Sequence, residues 1–214
     1  ALCLALLAAG CATDNTEKDA ALKRLRDAGI PFTSDAFVNT AEKGDVESLK
    51  LFIAGGMDPD VNDTETALIA AADSNRKESV EYLLSIKANP DDKSYLGTAL
   101  CSAAKNGNTE ITGMLLEKGA DEEFEGPNGT PLFIAAQYGR PELVRQLVER
   151  KIDLDWRDPV TGMTPLMIAA RNGDNEIVGI LCDSGADIEV KDRKDRNAVN
   201  YASAGGHSET VSIL

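Results

Sequence analysis

The residue types that carry out chemistry in proteins are scarce or widely dispersed along this sequence. The chain has a single histidine, His207, and four cysteines, which leaves little material for a catalytic triad or a histidine-based metal site. Its 36 aspartate and glutamate residues occur throughout, whereas general acid catalysis needs two carboxyl groups that converge on one pocket. The sequence contains neither a G-x-x-x-x-G-K phosphate loop nor a G-x-S-x-G nucleophile elbow. We therefore expect no enzymatic activity, no metal site and no cofactor.

Two acidic segments have some features of ligand-binding sites. The segment DPDVN at 58–62 places oxygen-bearing side chains on alternate residues, as a calcium loop does at its start. Asp63 occupies the position of the required glycine and Ile69 that of the terminal glutamate, so we interpret this segment as a solvated loop. The segment DEEFE at 121–125 fits either a solvated loop or an acidic docking patch, because an aromatic residue is unusual in a purely solvated stretch.

The balance of charge limits the kinds of partner that the chain can bind. With 36 acidic and 22 basic residues, the formal net charge is -14. Such a charge repels nucleic acid phosphates and anionic lipid headgroups, and it attracts basic surfaces. We expect a protein partner, one with a basic surface, and no nucleic acid.

The first eleven residues have the composition of a secretory signal. The apolar run Ala1–Leu7 is too short to span a bilayer, which takes about 20 apolar residues. Residues 7–11, LAAGC, resemble the lipobox of bacterial lipoproteins, although Ala8 stands where leucine is more common. The resemblance implies that residues 1–11 are a signal whose Cys11 becomes lipidated, and that the chain reaches a membrane only through this lipid. An ordinary cleaved signal and a buried apolar N-terminal segment are the alternatives.

The residues that follow Cys11 add two expectations. Residues 12–19 are polar and fit a tether between the lipid and a folded domain. Ala12, rather than an aspartate, follows Cys11, which in Gram-negative lipoproteins favours the outer membrane. We expect a location in the bacterial cell envelope, on the periplasmic side of the outer membrane or secreted.

Most of the chain consists of one unit that occurs six times. The units start at Asp35, Thr66, Thr98, Thr130, Thr164 and Asn197. These starts are separated by 31, 32, 32, 34 and 33 residues. A regular period of this length is typical of solenoids, in which helical units must stack to bury their apolar faces.

The repeated unit resembles the ankyrin repeat, whose pattern is T-P-L-H-x-A-A, then a glycine turn, then an apolar helix that ends in G-A-D. The resemblance covers about Ser34 to Leu214 and implies an all-α solenoid of stacked helix-turn-helix units with β-hairpin-like loops. Other residues replace the family's histidine, and Asn75 replaces the glycine of one turn. Asparagine tolerates the left-handed backbone that this turn requires. The resemblance further implies a non-catalytic module that binds other proteins.

Local signals support two packed helices in each unit. The threonine at the start of the unit is suited to cap the first helix, because its hydroxyl accepts a free backbone N–H. Paired alanines such as Ala135 and Ala136 let a neighbouring helix approach closely. The residues after the turn, for example Leu143 and Leu147, form a second apolar stripe.

The two ends of the array differ in sequence. Residues 20–33 are predicted to cap the N-terminal end through a helix at 17–28, with Ala21, Leu25 and Ala28 on its apolar face and Gly29 at its end. The last repeat stops at Leu214 without a capping turn, so we expect the natural chain to continue.

Two of the cysteines lie within repeats. Cys101 and Cys182 are separated by one whole repeat. Packed helices lie about 10 Å apart, whereas a disulfide needs Cα atoms within about 7 Å of each other. We predict two unpaired thiols in the core.

The resemblance implies that partners dock on loop tips and on exposed positions of the first helices. The corresponding residues here are Lys105, Gln137, Tyr138, Arg171 and Asn172 on helices, and Tyr95, Phe124, Trp156 and Arg157 on loops. Trp156, the only tryptophan, fits either an interface anchor or a ring that packs on the neighbouring loop. We expect Tyr138, Trp156 and Arg171 to form one energetic centre, and truncation of Trp156 to leave the fold unchanged. The alternatives to a simple interaction module are an inhibitor or regulator of a basic envelope enzyme and a structural spacer.

Overall fold

The computed structural model of the protein describes the backbone of residues 2–61 and 63–214, and the side chains of these residues from 15 onward. Within these residues all regular structure is helical, with thirteen α-helices and no β-strand. The expectations for the Cys11 side chain and for Asn62 lie outside the described residues. The chain divides into two compact units, one up to Ser94 and one from Tyr95.

The first unit contains five helices. They are α1 Leu2–Asp27, α2 Ser34–Lys43, α3 Val46–Ala54, α4 Ala67–Asp73 and α5 Lys77–Ser85. Helix α1 packs on α3, α2 packs on α3 and α4, and α5 packs on α3 and α4. The buried ring of Phe52 joins α3 to α2 and to the loop before α2, because its centroid lies 5.5 Å from that of Phe32 and 5.4 Å from that of Phe37.

Helix α1 is longer than the sequence patterns indicated. It begins at Leu2 and includes residues 12–19, the segment expected to be a polar tether. Gly10 is the one glycine in the sequence of α1, and a single glycine costs a helix only about 1 kcal/mol. Nothing local therefore stops the helix before Gly29, whose φ is 72°. Ala21 and Leu25 are buried as expected, whereas Ala28 is exposed because it lies beyond the last helical turn.

The second unit contains eight helices in two layers. The first helices of its four repeats are α6 Ala99–Asn106, α8 Pro131–Gln137, α10 Pro165–Asn172 and α12 Ala198–Gly205. The second helices are α7 Thr109–Glu117, α9 Pro141–Val148, α11 Asn175–Asp183 and α13 Ser208–Ile213. Within each layer, neighbouring helices pack on one another, and each first helix packs on the second helix of its own repeat. Completely buried alanines, such as Ala135 and Ala136 of α8, permit this close stacking.

The repeat residues set both ends of the first helices. The hydroxyl of Thr66 accepts the N–H of Ile69 at 3.3 Å, and the equivalent bonds at Thr98, Thr130 and Thr164 measure 3.2–3.4 Å. The turn residues have φ between 57° and 82°, in the left-handed region. They are Gly44, Asn75, Gly107, Gly139, Gly173 and Gly206. The predicted caps and turns, including the asparagine turn, are therefore confirmed.

The loops between repeats contain tight turns. In the loop before Thr130, Gly126 and Gly129 exchange two backbone hydrogen bonds of 3.0 and 3.2 Å, which form an isolated antiparallel pair. Such a pair is the smallest hairpin, and it brings the chain back to the start of α8. The loop before α10 is two residues longer, and there Asp158 accepts the N–H of Gly162 at 2.8 Å.

Candidate protein-binding surface

A row of side chains lies at the C-terminal ends of three successive first helices. Lys105, Gln137 and Arg171 occupy equivalent positions, two residues before the turn glycine of each repeat. Gln137 and Arg171 are exposed, whereas Lys105 is half-buried. The next residue is Tyr138 after α8 and Asn172 in α10, and Tyr138 keeps 47% of its surface exposed. The structure therefore brings all five helical residues of the predicted surface into one row.

Contacts between repeats hold part of this row in place. The side-chain amide of Asn172 donates to the carbonyl of Gln137 at 3.2 Å. The guanidinium of Arg171 lies along α10, with Nη1 3.8 Å from the sulfur of Met163. The row thus combines a fixed amide with an exposed phenol and an exposed guanidinium, which suit hydrogen bonding to a partner chain.

Trp156 packs on the start of helix α8 and on the loop before it. Its ring makes an edge-to-face contact with Phe133, with centroids 5.2 Å apart and planes at 68°. A Cβ added to Gly129 would lie 3.1 Å from the same indole, so the ring covers this glycine closely. Trp156 is half-buried as a result. The expectation that its truncation leaves the fold unchanged is inconsistent with these contacts, because its ring is part of the packing between repeats.

The other predicted loop residues have different environments. Tyr95 is 72% exposed, and Phe124 is half-buried with its ring close to Gly126. Arg157 is exposed, but its guanidinium donates to the carbonyl of Lys191 at 2.6 Å and so joins two adjacent loops. Tyr95 therefore keeps most of its surface accessible to a partner.

The three residues predicted to form one energetic centre, Tyr138, Trp156 and Arg171, do not lie together at one end of helix α8. Trp156 contacts Phe133 in the first turn of α8, whereas Tyr138 follows the last residue of that helix. Phe133 and Tyr138 are five positions apart, which corresponds to about 7.5 Å along a helix axis. Tyr138 and Arg171 both lie in the row. Trp156 lies near the opposite, N-terminal end of α8.

The acidic loops form a ladder that sequence reasoning missed. Each loop starts with an aspartate or asparagine whose side chain accepts the N–H two residues later, at 2.9–3.1 Å. These residues are Asp58, Asn89, Asp121, Asp153 and Asp187. In the second unit the acidic residue two positions later then accepts the first N–H of the next loop, as Glu123 does from Asp153 at 2.8 Å and Asp155 from Asp187 at 3.0 Å. The sequence pattern that could have predicted the ladder is the recurrence, in each loop, of an acidic residue two positions after an aspartate or asparagine.

The ladder gives many acidic residues a structural role. Asp60 accepts the N–H of Asn89 at 2.8 Å, so both carboxylates of the calcium-like segment bind backbone amides. Among the described residues, no group of three or more histidine, cysteine, aspartate or glutamate side chains is arranged to hold a metal ion. The contacts of Asp58 and Asp60 support the interpretation of this part of the segment as a loop.

The comparison with known families agrees with this architecture. The family model for ankyrin repeats, in three copies, matches residues 37–125, 100–192 and 132–214. The chain belongs to the ankyrin-repeat family. A comparison with curated proteins gives no match. Ankyrin repeats generally mediate protein–protein interactions and are generally not enzymes.

An acidic cleft lies beside Trp156 in this ankyrin array. It has a volume of about 230 Å³, and its lining residues are Glu122, Glu123, Glu125, Thr130, Ile152, Asp153 and Trp156. Glu122 forms an ion pair of 3.3 Å with Arg150, and Glu123 accepts the N–H of Asp153. Four carboxylates and one nearby guanidinium leave the cleft negative. The segment 121–125 therefore serves both as a structural loop and as one wall of an exposed acidic cleft.

The two repeat cysteines are both free thiols. Cys101 occupies the position of the ankyrin histidine and is buried, and burial raises the pKa of its thiol. Cys182 is only half-buried, which corrects its expected place in the core. Its position in α11 lies at the edge of the apolar stripe, and partial burial and Asp183 raise its pKa.

A charged network around the buried Asp192 orders the last loop of the ankyrin array. Burial alone would raise the pKa of Asp192, but hydrogen bonds from the Tyr201 hydroxyl and from Arg196 hold this pKa well below its usual value. The Tyr201 hydroxyl donates to Asp192 at 2.7 Å, and the Arg196 guanidinium donates to it at 2.8 Å. The guanidinium also lies 4.5 Å from the centroid of the Tyr201 ring. This network fixes the loop that leads into α12.

Proposed function

We propose that the chain is a non-catalytic protein-interaction module whose partner docks on the second unit, residues 95–214. The observation that carries this proposal is the row of side chains at the ends of α6, α8 and α10, which is exposed on α8 and α10. A partner segment laid across the row would contact one repeat after another, at a spacing of about 10 Å. Because packed repeats hold these side chains before binding, the entropy lost on association is reduced.

The charge of the second unit supports a partner with a basic surface. The acidic cleft beside Trp156 adds a local negative site to the formal net charge of -14. Its volume suits a single side chain, and an indole next to carboxylates favours a lysine or arginine over a neutral residue. Electrostatic attraction of this kind raises the association rate, which should therefore fall as salt concentration increases.

The test is crosslinking in intact cells, followed by mass spectrometry and by binding measurements on purified full-length chain and captured partner. Tyr138→Ala should weaken binding by about 2 kcal/mol or more, because exposed tyrosines contribute strongly when an interface buries them. Glu149→Ala is the matched control, since Glu149 is exposed just after α9, the second helix of the same repeat. Loss of binding in the control with none in Tyr138→Ala would place the partner on the other side of the array.

We also propose that the module is attached to the bacterial cell envelope through a lipid on Cys11. Among the described residues, no helix is both long and apolar enough to cross a bilayer. Cys11→Ser should abolish palmitate labelling and move the protein to the soluble fraction. Membrane association that persists in this variant would contradict the proposal.

A second candidate function is inhibition or regulation of a basic envelope enzyme, which the acidic cleft favours. A stoichiometric partner with enzymatic activity, inhibited by the added chain, would support this function. A structural spacer would instead yield no partner at any salt concentration. A pull-down at low and high salt, with the activity of any captured partner measured, therefore separates the simple interaction module, the enzyme inhibitor and the structural spacer.

A further inference from the structure

The residue after the turn begins the second helix of each repeat, and its chemical type alternates along the chain. In the first, third and fifth repeats it is an aspartate or asparagine: Asp45, Asn108 and Asp174. In the second, fourth and sixth repeats it is a larger nitrogen-bearing residue: Arg76, Arg140 and His207. The residue type therefore recurs every two repeats, and a comparison of several repeats is needed to detect it.

The small residues cap their own helices. The side chain of Asp45 accepts the N–H of Ser48 at 3.1 Å, and that of Asp174 accepts the N–H of Ile177 at 3.1 Å. Asn108 makes the same bond at 3.0 Å. The three larger residues make no such cap, so α5, α9 and α13 begin without a side-chain hydrogen bond.

The larger residues instead reach back to the preceding repeat. Arg76 donates to the carbonyl of Glu42 at 2.8 Å, and Arg140 donates to the carbonyl of Lys105 at 3.0 Å. The His207 ring nitrogen lies 3.1 Å from the carbonyl of Arg171. Each carbonyl is at the C-terminal end of a first helix, where the helix dipole favours a cationic donor. We call each of these bonds a clasp.

The turn glycines fit this alternation. A Cβ on Gly44, Gly107 or Gly173 would lie 3.2, 2.6 or 2.5 Å from the clasping side chain of the next repeat. A Cβ on Gly139 would meet only Asp174, at 3.4 Å, and one on Gly206 would meet no atom within 4 Å. Glycine in the first, third and fifth repeats therefore serves both the left-handed turn and the passage of the clasp.

The junction between the fourth and fifth repeats shows the other arrangement. There the carbonyl of Gln137 accepts from the neutral amide of Asn172, and Asp174 turns to its own helix. The ion pair between Arg145 and Glu176 also spans this junction, but both side chains are about half exposed, so it contributes little. The end of α8 is thus held by a neutral donor where its neighbours α6 and α10 have a clasp.

We propose that the array is assembled from two-repeat modules, each closed by one clasp from its second repeat to its first. The modules are α2–α5, α6–α9 and α10–α13. The division of the chain after Ser94 coincides with the end of the first module. Because the stability of a repeat array is a sum of repeat and neighbour contributions, a clasp strengthens the coupling between the two repeats that it joins.

Hydrogen exchange measured by mass spectrometry on the full chain tests this proposal. Arg140→Ala should increase exchange in α6 and α7 about fivefold, the effect expected for one lost hydrogen bond. Arg140→Asp removes the clasp but supplies a cap to α9, as Asp174 does for α11, and should increase exchange in α6 equally. Arg145→Ala, the matched control in α9, should change exchange in α6 less than about twofold.

The two variants separate the clasp from an effect on helix α9 alone. If Arg140→Asp leaves α6 as protected as in the parent chain, Arg140 acts only within its own repeat and the proposal fails. It also fails if Arg145→Ala loosens α6 as much as Arg140→Ala does. Increased exchange in α6 for both Arg140 variants, with the control unchanged, supports the two-repeat module.

Discussion

Alanine at Gly107 should cost more stability than alanine at Gly139, although the two glycines are equivalent in the repeat. They follow α6 and α8 and have similar φ values of 75° and 64°. An alanine forced into this left-handed region costs about 1–2 kcal/mol relative to glycine. This backbone contribution is common to both positions.

The expected difference in stability comes from the atoms that a new Cβ would meet at each glycine. At Gly107 the new Cβ would lie 2.6 Å from Cδ of Arg140, well inside van der Waals contact, whereas at Gly139 the nearest atom is a carboxylate oxygen of Asp174 at 3.4 Å. Arg140 is flexible and would move aside, which breaks its hydrogen bond to Lys105 at a cost of about 1 kcal/mol. We therefore expect about 2–3 kcal/mol for Gly107→Ala and about 1–2 kcal/mol for Gly139→Ala.

Urea unfolding of the full chain, followed by far-ultraviolet circular dichroism, measures both free energies of unfolding. A double-mutant cycle with Arg140→Ala isolates the contact, because the additional cost of Gly107→Ala should disappear once Arg140 has no clasp to lose. Equal costs for the two glycine variants would refute the reasoning. So would an additional cost that persists in the Arg140→Ala background.

Three further predictions follow from the packing and the charges. Ala136→Leu should lower the free energy of unfolding by about 1–3 kcal/mol in urea titrations, because Ala136 is completely buried between stacked helices. Trp156→Ala should lower it by about 1–2 kcal/mol through lost contact with Phe133, and an unchanged melting temperature would contradict this packing role. Asp192→Asn should lower the melting temperature at neutral pH. Because the pKa of Asp192 is lowered on folding, the parent chain should keep its advantage above the ordinary value of 3.8 and lose it as pH falls further, which thermal melts across this range would detect.

Much of the fold followed from short-range signals in the sequence. The period near 33 residues, the threonine caps and the turn residues are together typical of the ankyrin repeat. These features are local, because a cap binds an N–H three residues away and a left-handed turn depends on one residue. Asn75 shows the strength of such signals, since its φ of 57° places it with the glycines of the other turns.

The tertiary structure decided how residues of different repeats meet. Sequence spacing placed Trp156 and Tyr138 on one surface, but packing against Phe133 drew the indole to the loop end of α8. The acidic ladder and the clasps join atoms about 30 residues apart, and no pattern within one repeat encodes them. A repeat period fixes which positions are equivalent, whereas the direction of each side chain depends on the neighbouring repeat. For this reason equivalent positions such as Arg140 and Asp174 form different bonds, one to the preceding repeat and one to its own helix.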